Sequence, residues 1–96
     1  VLKRMGPASF GMLSFPMEGY TLAMDFPATP ANLALLARLD AITAEHGGRV
    51  YLTKDACTTP AAVERGYPKL AAFREVRRRY GLAGRIESLQ SRRLEL

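Results

Sequence analysis

Twice the chain writes the same helix start, a threonine followed by a proline: Thr29-Pro30 and Thr59-Pro60. A threonine hydroxyl accepts from an otherwise orphaned amide of the first turn, and proline costs nothing at the first helical position because its missing N–H has no partner there. After Thr29-Pro30, residues Leu35, Leu36, Leu39 and Ile42 recur at helical spacing in "TPANLALLARLDAITAEHGG". Gly47 then supplies the residue able to turn left-handed and end the helix. The bracket predicts one amphipathic helix of several turns. After Thr59-Pro60 a short helix should end at Gly66, and Pro68 opens another in "PKLAAFREVRRRY" with Leu70, Phe73, Val76 and Tyr80 on one face. Gly81 and Gly84 break that helix ahead of a last short one in "RIESLQSRRLEL".

The chain before Thr29 has a different period. "VLKRM", "MLSFP" and "GYTLAMDFP" read as extended, the last with Leu22, Met24 and Phe26 on one face and with Pro16, Gly19 and Pro27 as punctuation. "RVYLT", Arg49 to Thr53, returns to the extended pattern after the helix. Strands around a helix, then helices alone, predict an α+β fold: an antiparallel sheet with a helix packed on one face, followed by a C-terminal helical tail.

Length and composition narrow the function. The 96 residues suffice for one small domain, and 48% hydrophobic content is a folding composition. No apolar run approaches the roughly 18–20 residues of a membrane span, and the start lacks the order of a signal peptide. The expected location is cytoplasmic or peripheral to the inner membrane. Cys57, the single cysteine, leaves neither an internal disulfide nor a zinc cluster, so no metal site is expected. Val1 stands in place of a start methionine and "VLKRM" begins inside an extended element, so a fragment of a larger protein is expected.

The net charge of +5 is concentrated in the last third, at Lys69, Arg74, Arg77, Arg78, Arg79, Arg85, Arg92 and Arg93. Such a tail suits an anionic ligand, an acidic partner or nucleic acid, so a stand-alone basic α+β binding module is one reading. Against nucleic acid, the tail has no interleaving of aromatic and basic residues, and Tyr67, Phe73 and Tyr80 fall on the apolar stripe. His46, the only histidine, sits at a helix end and pairs with no recognisable nucleophile. No glycine-rich phosphate loop occurs. A catalytic constellation complete within this chain is not expected. What remains is the end of "GGRVYLTKD", where Tyr51, Lys54 and Asp55 either punctuate a strand or deliver groups to something bound.

Taken in order, "VLKRMGP", "LSFP", "GYTLAMDFP", "GGRVYLTKD" and "YPKLAAFREVRRRYGLAGRIESLQSRRLEL" resemble the C-terminal part of FAD-linked oxidoreductases of the vanillyl-alcohol-oxidase superfamily. The nearest resemblance is to the decaprenylphosphoryl-ribose oxidase group, with aldonolactone oxidases more distant. The resemblance implies a fragment of a larger two-domain flavoenzyme that oxidises a sugar or alcohol hydroxyl by hydride transfer. Residues 1–53 would be part of the substrate domain, and 54–96 a return segment and helical tail on the FAD-binding domain, which this chain lacks. It implies FAD in the parent but not in the fragment, and it admits a reductase partner and self-association of the isolated piece.

By the same resemblance Lys54 is the catalytic cation near the flavin, and Lys3, Met5, Thr21, Ala23, Asp25 and Tyr51 line the pocket. Members of the group carry asparagine, cysteine and phenylalanine at the positions of Thr21, Ala23 and Met5, so this chain lacks that thiol. A regular strand sends residues three apart to opposite faces. Tyr51 and Lys54 can therefore share a pocket only if the strand ends or twists near Thr53.

Overall fold

Main-chain hydrogen bonds pair β1 (Leu2–Met5) with β2 (Gly19–Leu22) in a two-stranded antiparallel sheet in the computed structural model, which describes residues 1–96. The register sets Lys3 opposite Thr21 and Met5 opposite Gly19. Val1 and Ala23 extend the ladder by exchanging main-chain bonds of 2.7 and 2.8 Å. Four helices complete the α+β fold: α1 (Pro30–Glu45), α2 (Pro60–Gly66), α3 (Leu70–Arg79) and α4 (Leu89–Leu94).

Both threonine-proline starts act as their chemistry requires. The Thr29 and Thr59 hydroxyls accept the amides of Asn32 and Ala62, each at 3.2 Å. Gly47 takes φ 71° just beyond α1, and Nδ1 of His46 donates to the Ile42 carbonyl at 2.9 Å. Helix α4 is far too short to hold by itself. It is closed by a reciprocal capping box between Ser88 and Ser91.

The core is small and lies at α2. Of 96 residues only six are buried, and the apolar ones are Val63, Tyr67, Leu70 and Leu94. Leu13, Leu52, Phe73 and Leu96 pack half-buried against them. Helices α1 and α4 both pack on α2. At the end of α2 the backbone comes so close to Arg49 that a Cβ on Gly66 would stand 2.8 Å from the Arg49 Cβ. Just beyond it the Tyr67 hydroxyl donates to the Val50 carbonyl at 2.7 Å, and the Arg49 guanidinium lies 5.3 Å from the Tyr67 ring centroid. By contrast no residue of α1 is fully buried; Leu36 and Leu39 are half-covered, while Leu35 and Ile42 stay exposed.

Three extended readings need correction. β2 ends at Leu22 rather than at Phe26. "MLSFP" is not a strand: Ser14 closes a turn onto the Gly11 carbonyl, and its own carbonyl accepts from Arg49 at 2.9 Å. Arg49 to Thr53 is not a strand either. The carbonyls of Val50 and Leu52 accept from the side chains of Tyr67 and Gln90, so no row of acceptors is left to join a ladder. Leu52–Lys54 coils instead into a single 3₁₀ turn. No helix is long and apolar enough to cross a membrane.

With so little core, each buried side chain counts heavily. Leu94→Ala should cost about 2–5 kcal/mol in urea unfolding. Leu89→Ala on the same helix, at a residue 86% exposed, should change stability by less than about 0.5 kcal/mol. Equal losses for the two would contradict this placement of the core.

Candidate functional site

A 3₁₀ turn at Leu52–Lys54 takes the place of the strand end. Tyr51 precedes it in extended backbone, φ −78° and ψ 109°, and its carbonyl accepts the Lys54 amide at 3.0 Å. The two side chains go to different neighbours. Tyr51 leans on Phe15, ring centroids 4.6 Å apart at 34°. The Lys54 ammonium lies 3.7 Å from a carboxylate oxygen of Asp25, with the side chains 60% and 94% exposed. Ion pairs in that much water contribute only about 0–1 kcal/mol, so the ammonium is free to leave for a better partner.

The other sequence-derived candidates form a second group, on the sheet. Lys3 faces Thr21 across the ladder, Ala23 is bonded to Val1, and Met5 sits half-buried opposite Gly19. Asp25 lies two residues beyond Ala23 and is the link to Lys54. A hollow of about 230 Å³ opens beside Lys54, with Asp25, Asp40 and Thr58 among its polar lining and Met24, Phe26 and Leu36 among its apolar lining. Lys3, Met5, Thr21, Ala23 and Tyr51 do not line it. The structure thus brings together Lys54 with Asp25, and Lys3 with Thr21, but does not gather all seven candidates around one hollow.

Burial sets the electrostatics of the hollow. Loss of water pushes the Asp40 carboxyl above its ordinary value; the neighbouring Asp55 adds to the rise and the Thr58 hydroxyl opposes it. That hydroxyl, on a residue only 4% exposed, approaches Asp40 without closing a well-formed hydrogen bond. The Cys57 thiol is also pushed up, first by burial, then by Asp40 and Asp55, against the pull of Arg93. It stays a thiol at neutral pH and is a poor nucleophile.

Asp55 is the most enclosed of the ion-paired charges, its side chain 1% exposed. One of its oxygens accepts the amides of Cys57 and Thr58 at 3.0 and 2.8 Å. The other accepts from the Gln90 amide at 3.3 Å and from the Arg93 guanidinium. No group of three histidine, cysteine or acidic side chains is placed to hold a metal ion.

Four residues of this neighbourhood escaped sequence reasoning: Asp40, Thr58, Gln90 and Arg93. Asp40 carried a usable signal, because it falls four residues after Leu36 on the face that meets the rest of the fold. Gln90 and Arg93 carried none, since their partners lie 35 to 38 residues away.

No family model matches the sequence. Along its whole length the chain is 41% identical to an uncharacterized protein in the mprA 5' region of Streptomyces coelicolor. Also along its whole length, it is 34% identical to decaprenylphosphoryl-beta-D-ribose oxidase of Mycolicibacterium smegmatis. It spans only 26% and 21% of those two proteins. The chain is similar from end to end to part of an oxidase.

Because folding favours the neutral form of Asp40, the folded state holds its proton to higher pH than the unfolded chain does. That contribution to stability is complete below the ordinary value of 3.8 and is lost as pH rises through the raised folded value. Asp40→Asn should therefore gain in melting temperature relative to wild type as pH climbs from about 3.5 to 7. A difference that stays constant over that range would contradict the assignment.

Proposed function

We propose that the chain is a segment of a longer FAD-dependent oxidoreductase of the vanillyl-alcohol-oxidase superfamily, acting on a hydroxyl-bearing carbon of a sugar or alcohol. Residues 1–53 would belong to its substrate domain, and 54–96 would form a return segment and tail packed on its FAD-binding domain. One observation carries this reading: all 96 residues align at 34% identity with part of a decaprenylphosphoryl-ribose oxidase. The surface supports it. Val1, Leu2, Tyr20, Ile86 and Leu89 are each at least 67% exposed, more apolar area than a self-sufficient domain usually leaves to water. The remainder of the longer protein would cover them, and the isolated chain would tend to self-associate.

The donor set suits a flavin. The Lys54 ammonium and the Tyr51 ring are both exposed near the turn, and Lys3 offers a second cation on the sheet beside Thr21. When bound, FAD would supply the hydride acceptor and would become more negative as it is reduced. Lys54, leaving its weak contact with Asp25, would supply a positive charge that stabilises such charge as it develops. Asp25 holds the ammonium in readiness by a weak, exposed contact. Tyr51, propped by Phe15, and Thr21, Ala23 and Met5 on the sheet lie outside the hollow beside Lys54, so they would meet a bound substrate only where it extends beyond that hollow. Ala23 offers no thiol, so a covalent role for a side chain at that position falls away.

The alternative, a basic module for nucleic acid, has no comparable support. Arg74, Arg78, Arg92 and Arg93 are each paired with a carboxylate of this chain, and Arg77 is spent on the carbonyls of Ile86 and Leu96.

The test is to purify the longer protein that carries this segment and look for bound flavin and dye-coupled oxidation of sugars and alcohols. Bound flavin is expected, and Lys54→Ala should slow flavin reduction on the order of 100-fold, the usual effect of removing one charge-stabilising donor. A colourless protein, or reduction at an unchanged rate in the variant, would overturn the proposal.

A further inference from the structure

The turn that carries Lys54 has little of its own to hold it. Its main-chain bonds are Lys54 N–H to Tyr51 at 3.0 Å and a longer one, Asp55 N–H to Leu52, at 3.4 Å. Thr53 and Lys54 are exposed, and no strand lies alongside. What grips the turn comes from α4. The Gln90 side-chain amide donates both to the Leu52 carbonyl and to the Asp55 carboxylate, at the two ends of the turn. One helical turn on, Arg93 reaches the same carboxylate and the Thr58 carbonyl. Helix α4 is in turn seated by Leu94, which is 0% exposed in the core.

We propose that α4 is a positioning clamp for the Lys54 ammonium, with Gln90 and Arg93 as the positioning residues; this rests on the flavin-pocket reading of Lys54 given above. Two effects combine. The first is geometric: Gln90 ties the residue two before Lys54 to the residue just after it, so the turn cannot unwind without breaking both contacts. The second is electrostatic. Lys54 and Asp55 are adjacent and of opposite charge, and an unpaired Asp55 would draw the ammonium onto itself. Arg93, with its planar fork, occupies the Asp55 oxygen and leaves Lys54 to face outward toward Asp25 or a bound group.

The test is a double-mutant cycle on Gln90→Ala and Lys54→Ala in the flavin-loaded, full-length protein, read by the flavin midpoint potential. Lys54→Ala should lower the potential by about 30 mV or more, equal to a tenfold shift of a two-electron couple. Gln90→Ala should lower it by a smaller amount in the wild-type background and by nothing further when Lys54 is already alanine. Amide exchange supplies the second readout: in Gln90→Ala the Lys54 amide should exchange about tenfold faster, with α1 and α2 unchanged, as for local opening. Arg93→Lys should reproduce the loss in potential, because an ammonium cannot replace the fork. An unchanged potential in Lys54→Ala would sink the flavin-pocket reading itself. A normal Lys54→Ala response, with a Gln90→Ala effect that is absent, that persists in full beside Lys54→Ala, or that accelerates exchange throughout the chain, would sink the clamp alone.

Discussion

A carboxylate taken out of water must find donors, and the Asp55 carboxylate, 1% exposed, organises much of this small fold around that requirement. Two of its donors are the amides of Cys57 and Thr58, which fold the following loop back on it. The other two, Gln90 and Arg93, lie 35 and 38 residues further on, so satisfying Asp55 brings the last helix against the middle of the chain. The same arrangement shifts its neighbours. It adds to the rise in the proton affinities of Asp40 and Cys57, while Lys54 pairs with Asp25 instead.

Polar locking of this kind matters because the apolar core is slight. Four buried apolar residues at α2, α3 and α4 cannot also hold the sheet and the long helix α1. Helix α1 is held by packing on α2, and the loops beside these outer elements are tied in by Arg49 to the Ser14 carbonyl, by the Tyr67 hydroxyl to Val50, and by the close approach of the Gly66 backbone to Arg49. The apolar side chains left in water on β1, β2 and α4 are the counterpart of that economy. They fit a segment of a longer polypeptide whose remaining parts supply the missing contacts.

Local chemistry was legible and distant chemistry was not. Thr29-Pro30, Thr59-Pro60 and Gly47 act through their immediate neighbours, and the helix boundaries they implied are those observed. The β1–β2 pairing was visible in part, since the alternation from Leu22 to Phe26 outlasts the strand that Leu22 ends. Arg49 to Thr53 has the composition of a strand, but the Tyr67 hydroxyl and Gln90 claim its carbonyls, and neither contact has any trace in the segment itself. Charge misled in a similar way. The tail reads as a basic stripe, yet Arg74 and Arg93 find carboxylates brought near by folding. As for the candidate site, the sequence posed the condition that the strand end near Thr53; the 3₁₀ turn at Leu52–Lys54 ends it there, while Tyr51 stays outside the hollow beside Lys54.

The most direct measurement is an experimental structure of the longer protein with flavin bound, read at a single distance. The expected result places the Lys54 ammonium within roughly 2.7–3.2 Å of the flavin's pyrimidine edge, released from Asp25, with Gln90 still bridging Leu52 and Asp55. A Lys54 that remains on Asp25 while the ring system lies against another face of the chain would contradict the account.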